Sequence, residues 1–444
     1  MNKTSKVKGA LEVLLVIGLI LFIPLFFAIK TAADRQEAKN TPVPSAPTAS
    51  EVPEINSVAV AKQPPQCTFP LAQTTTAEST PEEYTFSEPP LVITSPNSIG
   101  IVEWLPDNRR VLITRDVLDN NNRYQSIELF NPQTGETQVY ATRTTTVNAP
   151  PSWLSELNAV VYPVMNILKN DKINHRYEFT RQIWVSRGNP KNVQLVADNL
   201  PNFYVVVKPG LSQIAYLSDK QLAKRNASLE SLQSVAFDST QWEYRRSIYP
   251  SVPYELAWQP GSSQVFLYSN GDAGGYTFLL DVDTGKVCEV NLSSEVDGSD
   301  WATVAHWSPD GRYLAVVRTW GAQPVNSSDL AVLDIATGKL YTMTLFPLDV
   351  QGLHFVNDIA WAPDNRHLAA IGQIHYHNQE LGNLYLVDFL SEQSVLISST
   401  QNLGSGLGDT NLLWSNDGSQ LLIKCPTHQE DRLCLLSVQK NIQP

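Results

Sequence analysis

A tryptophan-centred motif recurs seven times at intervals of about 50 residues, and this repeat predicts an all-β fold, a seven-bladed β-propeller of four-stranded blades. Two further observations complete the predicted architecture. A charge-free apolar run near the N-terminus is typical of a transmembrane helix. The stretch that follows this run is rich in Pro, Ser and Thr, as extended linkers are.

The repeat is clearest in two segments, VAHWSPDGRYLAVV from Val304 and DIAWAPDNRHLAAI from Asp358. Successive copies are 49, 54, 51, 49, 54 and 53 residues apart. A period of this length fits one four-stranded blade with its loops and is too long for a single hairpin. The residues at the anchor position of the seven copies are Trp104, Trp153, Val207, Trp258, Trp307, Trp361 and Trp414.

Each copy is predicted to form a strand, a tight turn and a second strand. Pro309 fixes φ at the first turn position, Asp310 can accept hydrogen bonds from the backbone ahead, and Gly311 tolerates a positive φ. The apolar run after the turn has little polar alternation, which is typical of a strand covered on both faces. A second hairpin with a Gly-containing turn follows, for example over residues 330–338, so that each repeat supplies four strands.

The ends of the repeat region predict how the ring closes. After the strand expected at 433–438, only residues 439–444 remain, too few for a convincing fourth strand. The segment 91–94 resembles the strand expected at 395–398. We therefore expect the propeller to span 83–444, with the N-terminal strand 91–94 completing the last blade and removing an open edge.

The motif W-[SA]-P-D-[GN]-x-x-L-A resembles the WD40-like PD40 repeat of TolB-type propellers, which is also found in the propeller domains of prolyl oligopeptidase relatives. The resemblance covers about four-fifths of the chain. It implies the fold and says almost nothing about function. The chain departs from the TolB pattern because TolB has a separate N-terminal α/β domain and usually six blades.

The N-terminal region predicts a signal anchor. Residues 1–9 would be a cytoplasmic tail, 10–29 a transmembrane helix and 30–82 a Pro/Ser/Thr-rich stalk. This order places the protein as a single-pass membrane protein with a cytoplasmic N-terminus and an extracytoplasmic C-terminal propeller, at the cell surface or in the periplasm. The alternative is a cleaved signal peptide, because basic residues precede the apolar run.

Charge argues against a nucleic-acid partner. Residues 1–40 carry six basic and three acidic side chains, so the remainder of a chain with net charge −12 carries −15. Nucleic-acid affinity comes mainly from neutralisation of phosphates by Lys and Arg. The membrane, through the predicted helix, and a protein, peptide or glycan are the expected partners.

The four cysteines predict disulfides. Cys425 and Cys434 bracket a short loop between two strand-like runs and are expected to face each other. Cys67 and Cys288 would form the second pair, and four buried free thiols are the alternative.

Catalytic motifs are not evident, and we expect no cofactor. The chain has no Gly-x-Ser-x-Gly nucleophile elbow, and the glycine-rich segment 404–408 is interpreted as a flexible loop. His375 and His377 lie two apart, so an extended backbone would point both side chains the same way, towards a metal or towards solvent. A surface loop with paired histidines is the preferred interpretation.

The loops opposite the Pro-Asp-Gly turns are the expected binding face, because variable loops on a rigid scaffold usually carry binding. The loops concerned are 116–123, 166–180 and 220–234, the last of which is expected to include a short helix. This placement predicts an anchored scaffold that binds a protein, peptide or glycan. A metal-dependent hydrolase or lyase that uses the propeller channel, and a structural subunit of a membrane complex, are the alternatives. The candidate binding residues are Asp119, Asn121, Trp301, Trp320, Phe355, His375, Tyr376 and His377.

Overall fold

A computed structural model gives the structure of the chain, which forms an all-β propeller of antiparallel sheets. The described residues are 66–69, 83–87, 91–95, 98–119, 122–143, 150–171, 176–198, 200, 205–208, 213–218, 221–225, 232–236, 254–269, 277–292, 301–320, 327–343, 345, 353–376, 379–401, 411–425 and 431–441.

The strands follow one another along the chain as successive antiparallel meanders. Two strands come first, β1 (Glu83–Phe86) and β2 (Leu91–Ser95). Blade 1 contains β3 (Ile99–Trp104), β4 (Val111–Asp119), β5 (Asn122–Phe130) and β6 (Thr137–Arg143). Blade 2 contains β7 (Ser152–Leu154), β8 (Ala159–Asp171), β9 (Arg176–Ser186) and β10 (Val193–Ala197). Blade 3 contains β11 (Val205–Val207), β12 (Ile214–Ser218), β13 (Gln221–Arg225) and β14 (Leu232–Ala236).

The second half of the chain repeats this arrangement. Blade 4 contains β15 (Tyr254–Trp258), β16 (Gln264–Ser269), β17 (Thr277–Asp281) and β18 (Val287–Glu289). Blade 5 contains β19 (Trp301–Trp307), β20 (Tyr313–Trp320), β21 (Ser327–Asp334) and β22 (Leu340–Met343). Blade 6 contains β23 (Leu353–Trp361), β24 (His367–Tyr376), β25 (Gln379–Asp388) and β26 (Gln393–Gln401). The last strands are β27 (Leu412–Trp414), β28 (Gln420–Lys424) and β29 (Asp431–Asn441).

These last three strands form, with β1 and β2, a five-stranded sheet that we call the closing sheet. β29 is 11 residues long, so two strands fit end to end along its outer edge. β2 pairs with Asp431–Leu435, and β1 pairs with Val438–Asn441. The N-terminal and C-terminal ends of the described propeller therefore share one sheet.

The expectation of seven four-stranded blades is corrected by this topology. Six sheets are four-stranded blades, and the seventh copy of the motif lies in the five-stranded closing sheet. The reason is the length of β29, which extends past β28 and pairs with β1 there. The short helix expected within 220–234 is not found in the described residues of this stretch, which belong to the strands β13 and β14, and residues 226–231 lie outside the described residues.

The predicted tail 1–9 and transmembrane helix 10–29 lie outside the described residues, as does the stalk 30–82 apart from 66–69. Within the described part of the chain, no helix is long and apolar enough to cross a membrane. The helical element found there is a three-residue 3-10 turn, Ser155–Leu157. The predicted anchor therefore has no support in the structure, and the single-pass, extracytoplasmic placement that rested on it is withdrawn.

The hydrophobic core lies between neighbouring sheets. Blades 5 and 6, for example, share a cluster in which Val317 and Leu330 pack with Ile359 and Leu368. At the junction of the ring ends, Leu433 of the closing sheet shares a cluster with residues of blade 1. Because a sheet stacked on both sides buries both of its faces, the second strand of each repeat contains a run of mostly apolar residues, as the sequence indicates.

The turn between the first two strands is specified by residues that tolerate a positive φ. Gly311 has a φ of 75° and Asn365 a φ of 58°. At Gly311 a Cβ atom would lie 2.5 Å from the carbonyl oxygen of Pro260 in blade 4, so a side chain is excluded by space as well as by backbone conformation.

Both predicted disulfides are present. Cys67 is joined to Cys288, which links the segment Gln66–Phe69 to β18. Cys425 is joined to Cys434, which bridges the ends of the hairpin between β28 and β29.

Candidate functional site

Several of the repeated tryptophans connect neighbouring sheets. Most of the anchor residues end the first strand of their sheet, and the tryptophans among them are buried. The indole Nε1–H of Trp104 donates to the carbonyl of Leu413 at 3.2 Å, and that of Trp307 donates to Ala257 at 3.0 Å. In each case the acceptor is the residue before the tryptophan of the preceding sheet. These two tryptophans therefore link neighbouring sheets, whereas the indole of Trp258 donates within its own turn, to the Ser262 carbonyl at 3.0 Å.

The turns that follow the tryptophans are also cross-linked. Asn416 Nδ2 donates to the carbonyl of Leu105 at 3.0 Å, which joins the closing sheet to blade 1. The backbone N–H of Asp310 donates to Asn365 Oδ1 at 2.9 Å, which joins blades 5 and 6. These turns lie on one side of the ring, which we call the turn face, and the contacts commit several of its polar groups to structure.

Inner-strand carboxylates add further links. Glu103 on β3 accepts a hydrogen bond from the backbone N–H of Trp153 in blade 2. Asp358 Oδ2 on β23 accepts from the N–H groups of Asn411 and Leu412, at 2.5 and 2.9 Å, at the start of the closing sheet. Burial raises the pKa of Glu103 to about 7, an effect that the Trp153 hydrogen bond partly offsets. Both carboxylates therefore act in the assembly of the ring.

The described residues provide no set of ligands for a metal ion in the propeller channel. No group of three or more His, Cys, Asp or Glu side chains is placed there to hold an ion. His306 Nε2 lies 3.9 Å from Asp358 Oδ1, beyond hydrogen-bonding distance. Of the paired histidines, His375 lies in β24 and His377 lies outside the described residues.

The ends of the blades opposite the turn face, where the second strand runs into the third, form what we call the hairpin face. The register places the predicted binding residues of blade 5 there: Trp301 begins β19 opposite Thr319, and Trp320 ends β20 opposite Ser327. Asp119 of blade 1 lies at the same end, opposite Asn122, and Asn121 lies outside the described residues.

Blade 6 contributes the remaining predicted residues. His375 pairs with Leu353 and Glu380, and Tyr376 ends β24 opposite Gln379. Phe355, which is half-buried, lies nearby on β23 opposite Gln373. The candidate residues therefore fall at one face but on three different blades, with blades 5 and 6 adjacent and blade 1 separated from blade 6 by the closing sheet. Their role in binding stays a prediction.

The longest feature of the hairpin face is the hairpin β8–β9, which was expected as a loop over 166–180. Its strands remain paired from Asn166 opposite Thr180 to Asp171 opposite Arg176. The alternation of Tyr177 and Phe179 with polar residues is the sequence signal that could have indicated strands here.

This hairpin extends beyond the strands on either side of it. β7 pairs with β8 no further than Val161, and β10 pairs with β9 no further than Ile183. Beyond those two residues the strands have no other strand partner in the described structure, although the Leu200 N–H donates to the Arg181 carbonyl at 3.1 Å. We call the stretch formed by 166–171 and 176–180 the arm. Both outer edges of the arm present backbone donors and acceptors.

The fold and the repeat together define a β-propeller protein. No family model matches the chain, and no curated protein matches it either. Among solved structures it is similar to the GH74 xyloglucanase from Xanthomonas campestris, with a TM-score of 0.51 and 10% identity over 77% of this chain and 52% of that one.

Two further solved structures resemble the chain. The β-propeller domain of the Trilobed protease from Pyrococcus furiosus has a TM-score of 0.46 and 9% identity over 78% of this chain and 96% of that one. TolB from Acinetobacter baumannii has a TM-score of 0.35 and 12% identity over 72% of this chain and 78% of that one. At these identities the likeness is one of fold, and it leaves the choice between binding and catalysis open.

Proposed function

We propose that this protein is a β-propeller binding module that takes a polypeptide partner at its hairpin face, with the arm as the main contact. The observation that carries the proposal is the projection of the arm past both neighbouring strands. An extended peptide can add to a free strand edge through main-chain hydrogen bonds, a common mode of peptide recognition.

The contrast between the two faces supports the choice of surface. Turn-face groups such as Asn416 and Gln259 are already bonded to neighbouring sheets, whereas the arm edges are bonded to no described strand. Oppositely charged residues face each other across the arm, with Lys169 opposite Glu178 and Asp171 opposite Arg176. Charged residues along a free strand edge are a common protection against uncontrolled self-association.

The test shortens the arm. Residues 166–180 are replaced by Asn-Gly, a two-residue turn that joins the paired positions Met165 and Arg181. The matched control replaces residues 131–136 by Asn-Gly, which joins the paired positions Phe130 and Thr137 at the turn face of blade 1. Both variants and the full chain are immobilised, and the proteins that each retains from a lysate of the source cells are quantified by mass spectrometry.

We expect at least one protein to be retained by the full chain and by the blade 1 variant, and to fall at least tenfold with the shortened arm. Circular dichroism and the melting temperature establish that both variants are folded. Retention of the same proteins in the same amounts by the arm variant would contradict the proposal.

A further inference from the structure

A cavity of about 420 Å³ lies between blades 4 and 5 on the turn face. This volume falls within the usual range of about 300–1,000 Å³ for small-ligand sites. Its lining combines an apolar surface with a few polar side chains, as such sites usually do. The side chains used below are those of Phe69, Gln259, Gln264, Asp310, Arg312 and Ala336.

One wall of the cavity is a piece of extended chain, the segment Gln66–Phe69. Gln66 forms a parallel bridge with Glu289 at the outer edge of blade 4, and the N–H of Cys67 donates to the Glu289 carbonyl at 2.8 Å. Phe69 lies so close to Gly338 of blade 5 that a Cβ there would be 3.1 Å from its ring. The groove between these blades is thus already shaped for an extended polypeptide.

The side-chain amide of Gln264 is one of the polar groups in this lining that are available to a ligand. It makes no hydrogen bond to any described residue, whereas its backbone N–H is bonded to Ser262. The amide of Gln259, by contrast, donates to the Gly311 carbonyl at 2.7 Å and accepts from Ser262 Oγ at 2.6 Å. A carboxamide offers one acceptor and two donors, so Gln264 complements a ligand amide.

The charge of the lining disfavours anions. Arg312 donates to both carboxylate oxygens of Asp334, at 3.3 and 2.9 Å, so its charge is already compensated. Asp310 contributes a carboxylate to the lining itself, whereas Asp334 is the partner of Arg312 and does not line the cavity. One guanidinium against two carboxylates leaves a formal charge of −1, which repels a ligand carboxylate.

We propose that this cavity binds an apolar side chain together with its adjoining uncharged amide, as presented by an extended polypeptide. The site lies on the turn face, remote from the arm, and goes beyond the function proposed above. Ligand binding at one of the two sites does not require the other.

The test uses N-acetyl-L-phenylalaninamide as the probe and N-acetyl-L-phenylalanine as its anionic counterpart, titrated into the full chain by calorimetry. Ala336→Trp fills the cavity. The matched control is Gln133→Trp, which places the same side chain at the equivalent, exposed turn position of blade 1. Gln264→Leu removes the amide at nearly constant volume.

We expect saturable binding of the amide by the native chain and by Gln133→Trp, and a loss of at least tenfold in affinity for Ala336→Trp. Loss of one neutral hydrogen bond predicts about fivefold weaker binding for Gln264→Leu, since such a bond is worth about 1 kcal/mol. If Ala336→Trp does not fold, the result for Gln264→Leu decides the test. No saturable binding by the native chain, undiminished binding by folded Ala336→Trp or by Gln264→Leu, or equal affinity for the carboxylate would overturn the proposal.

Discussion

The indole Nε1–H of Trp361 donates a 2.9 Å hydrogen bond to the backbone carbonyl of His306 in the preceding blade. Trp361→Phe leaves this carbonyl without its indole donor, so we expect the free energy of unfolding to fall by about 1–3 kcal/mol. Urea unfolding followed by tryptophan fluorescence measures the change.

Trp414→Phe is the matched control. Trp414 is as deeply buried as Trp361, but its Nε1 has no hydrogen-bond partner among the described residues. Removing a buried, unsatisfied N–H offsets part of the packing that is lost, so this variant should be destabilised clearly less than Trp361→Phe. Equal losses would show that indole volume, and not the hydrogen bond between blades, makes the link.

The tryptophan motif also determines which strands could be predicted from the sequence. The Trp-Pro-Asp-Gly pattern combines a buried link with a turn that only a few residues tolerate, so the strands around Trp307 and Trp361 could be placed from sequence. β1 could not be placed from sequence. Tyr84 and Phe86 are recognisable as core residues only in the structure, where both rings make T-shaped contacts with Trp414.

The candidate site was less predictable than the fold. Sequence patterns place Trp301 and Tyr376 at one face because antiparallel strands alternate in direction. They do not reveal how far a hairpin extends, since the length of β8–β9 depends on where β7 and β10 stop. The Gln264 amide carries no sequence signal, because its availability depends on the path of Gln66–Phe69 and on the positions of neighbouring groups.

The ion pair between Arg318 and Asp329 should contribute strongly to stability. Nε and Nη2 of Arg318 donate to the two carboxylate oxygens at 3.0 and 2.6 Å, and the two side chains are only 5% and 10% exposed. Asp329→Ala leaves a buried guanidinium without its counter-ion, which typically costs about 3–5 kcal/mol. Chemical denaturation measures this loss.

An exposed pair provides the comparison. Arg110 and Asp107 are 39% and 33% exposed, so Arg110→Gln should cost less than about 1 kcal/mol. The double variant Arg318→Met/Asp329→Leu should recover much of the stability that Asp329→Ala loses, because apolar side chains of similar size avoid burying a charge. A double variant as unstable as Asp329→Ala would refute this account.

The two disulfides should differ in their effect on stability. Cys67–Cys288 spans 221 residues of sequence and Cys425–Cys434 spans 9. The chain-entropy model predicts losses of about 5 and about 3 kcal/mol on removal, since the longer loop restricts the unfolded chain more. Urea unfolding of Cys67→Ser/Cys288→Ser and of Cys425→Ser/Cys434→Ser measures both, and a larger loss for the shorter loop would contradict the model.

Glu103 should make stability depend on pH. Its pKa is raised to about 7 in the folded protein, from 4.5 in a model carboxyl, chiefly by burial. Between these values the folded protein holds a proton that the unfolded chain has released, so stability falls as the pH rises from about 4.5 to about 7. Glu103→Gln keeps an oxygen for the Trp153 N–H but has no proton to lose.

The melting temperature of Glu103→Gln should therefore rise relative to the native chain between pH 5 and pH 8. The rise is expected to be about 2 °C or more, because a pKa difference of one unit between the folded and unfolded states changes the stability by about 1.4 kcal/mol. The control is Gln133→Ala, at an exposed turn position without a titratable group, whose difference in melting temperature from the native chain should stay constant over the same range. If the melting temperatures of both variants run parallel to that of the native chain over this pH range, then the Glu103 carboxyl is ionised in the folded ring and burial does not control its pKa.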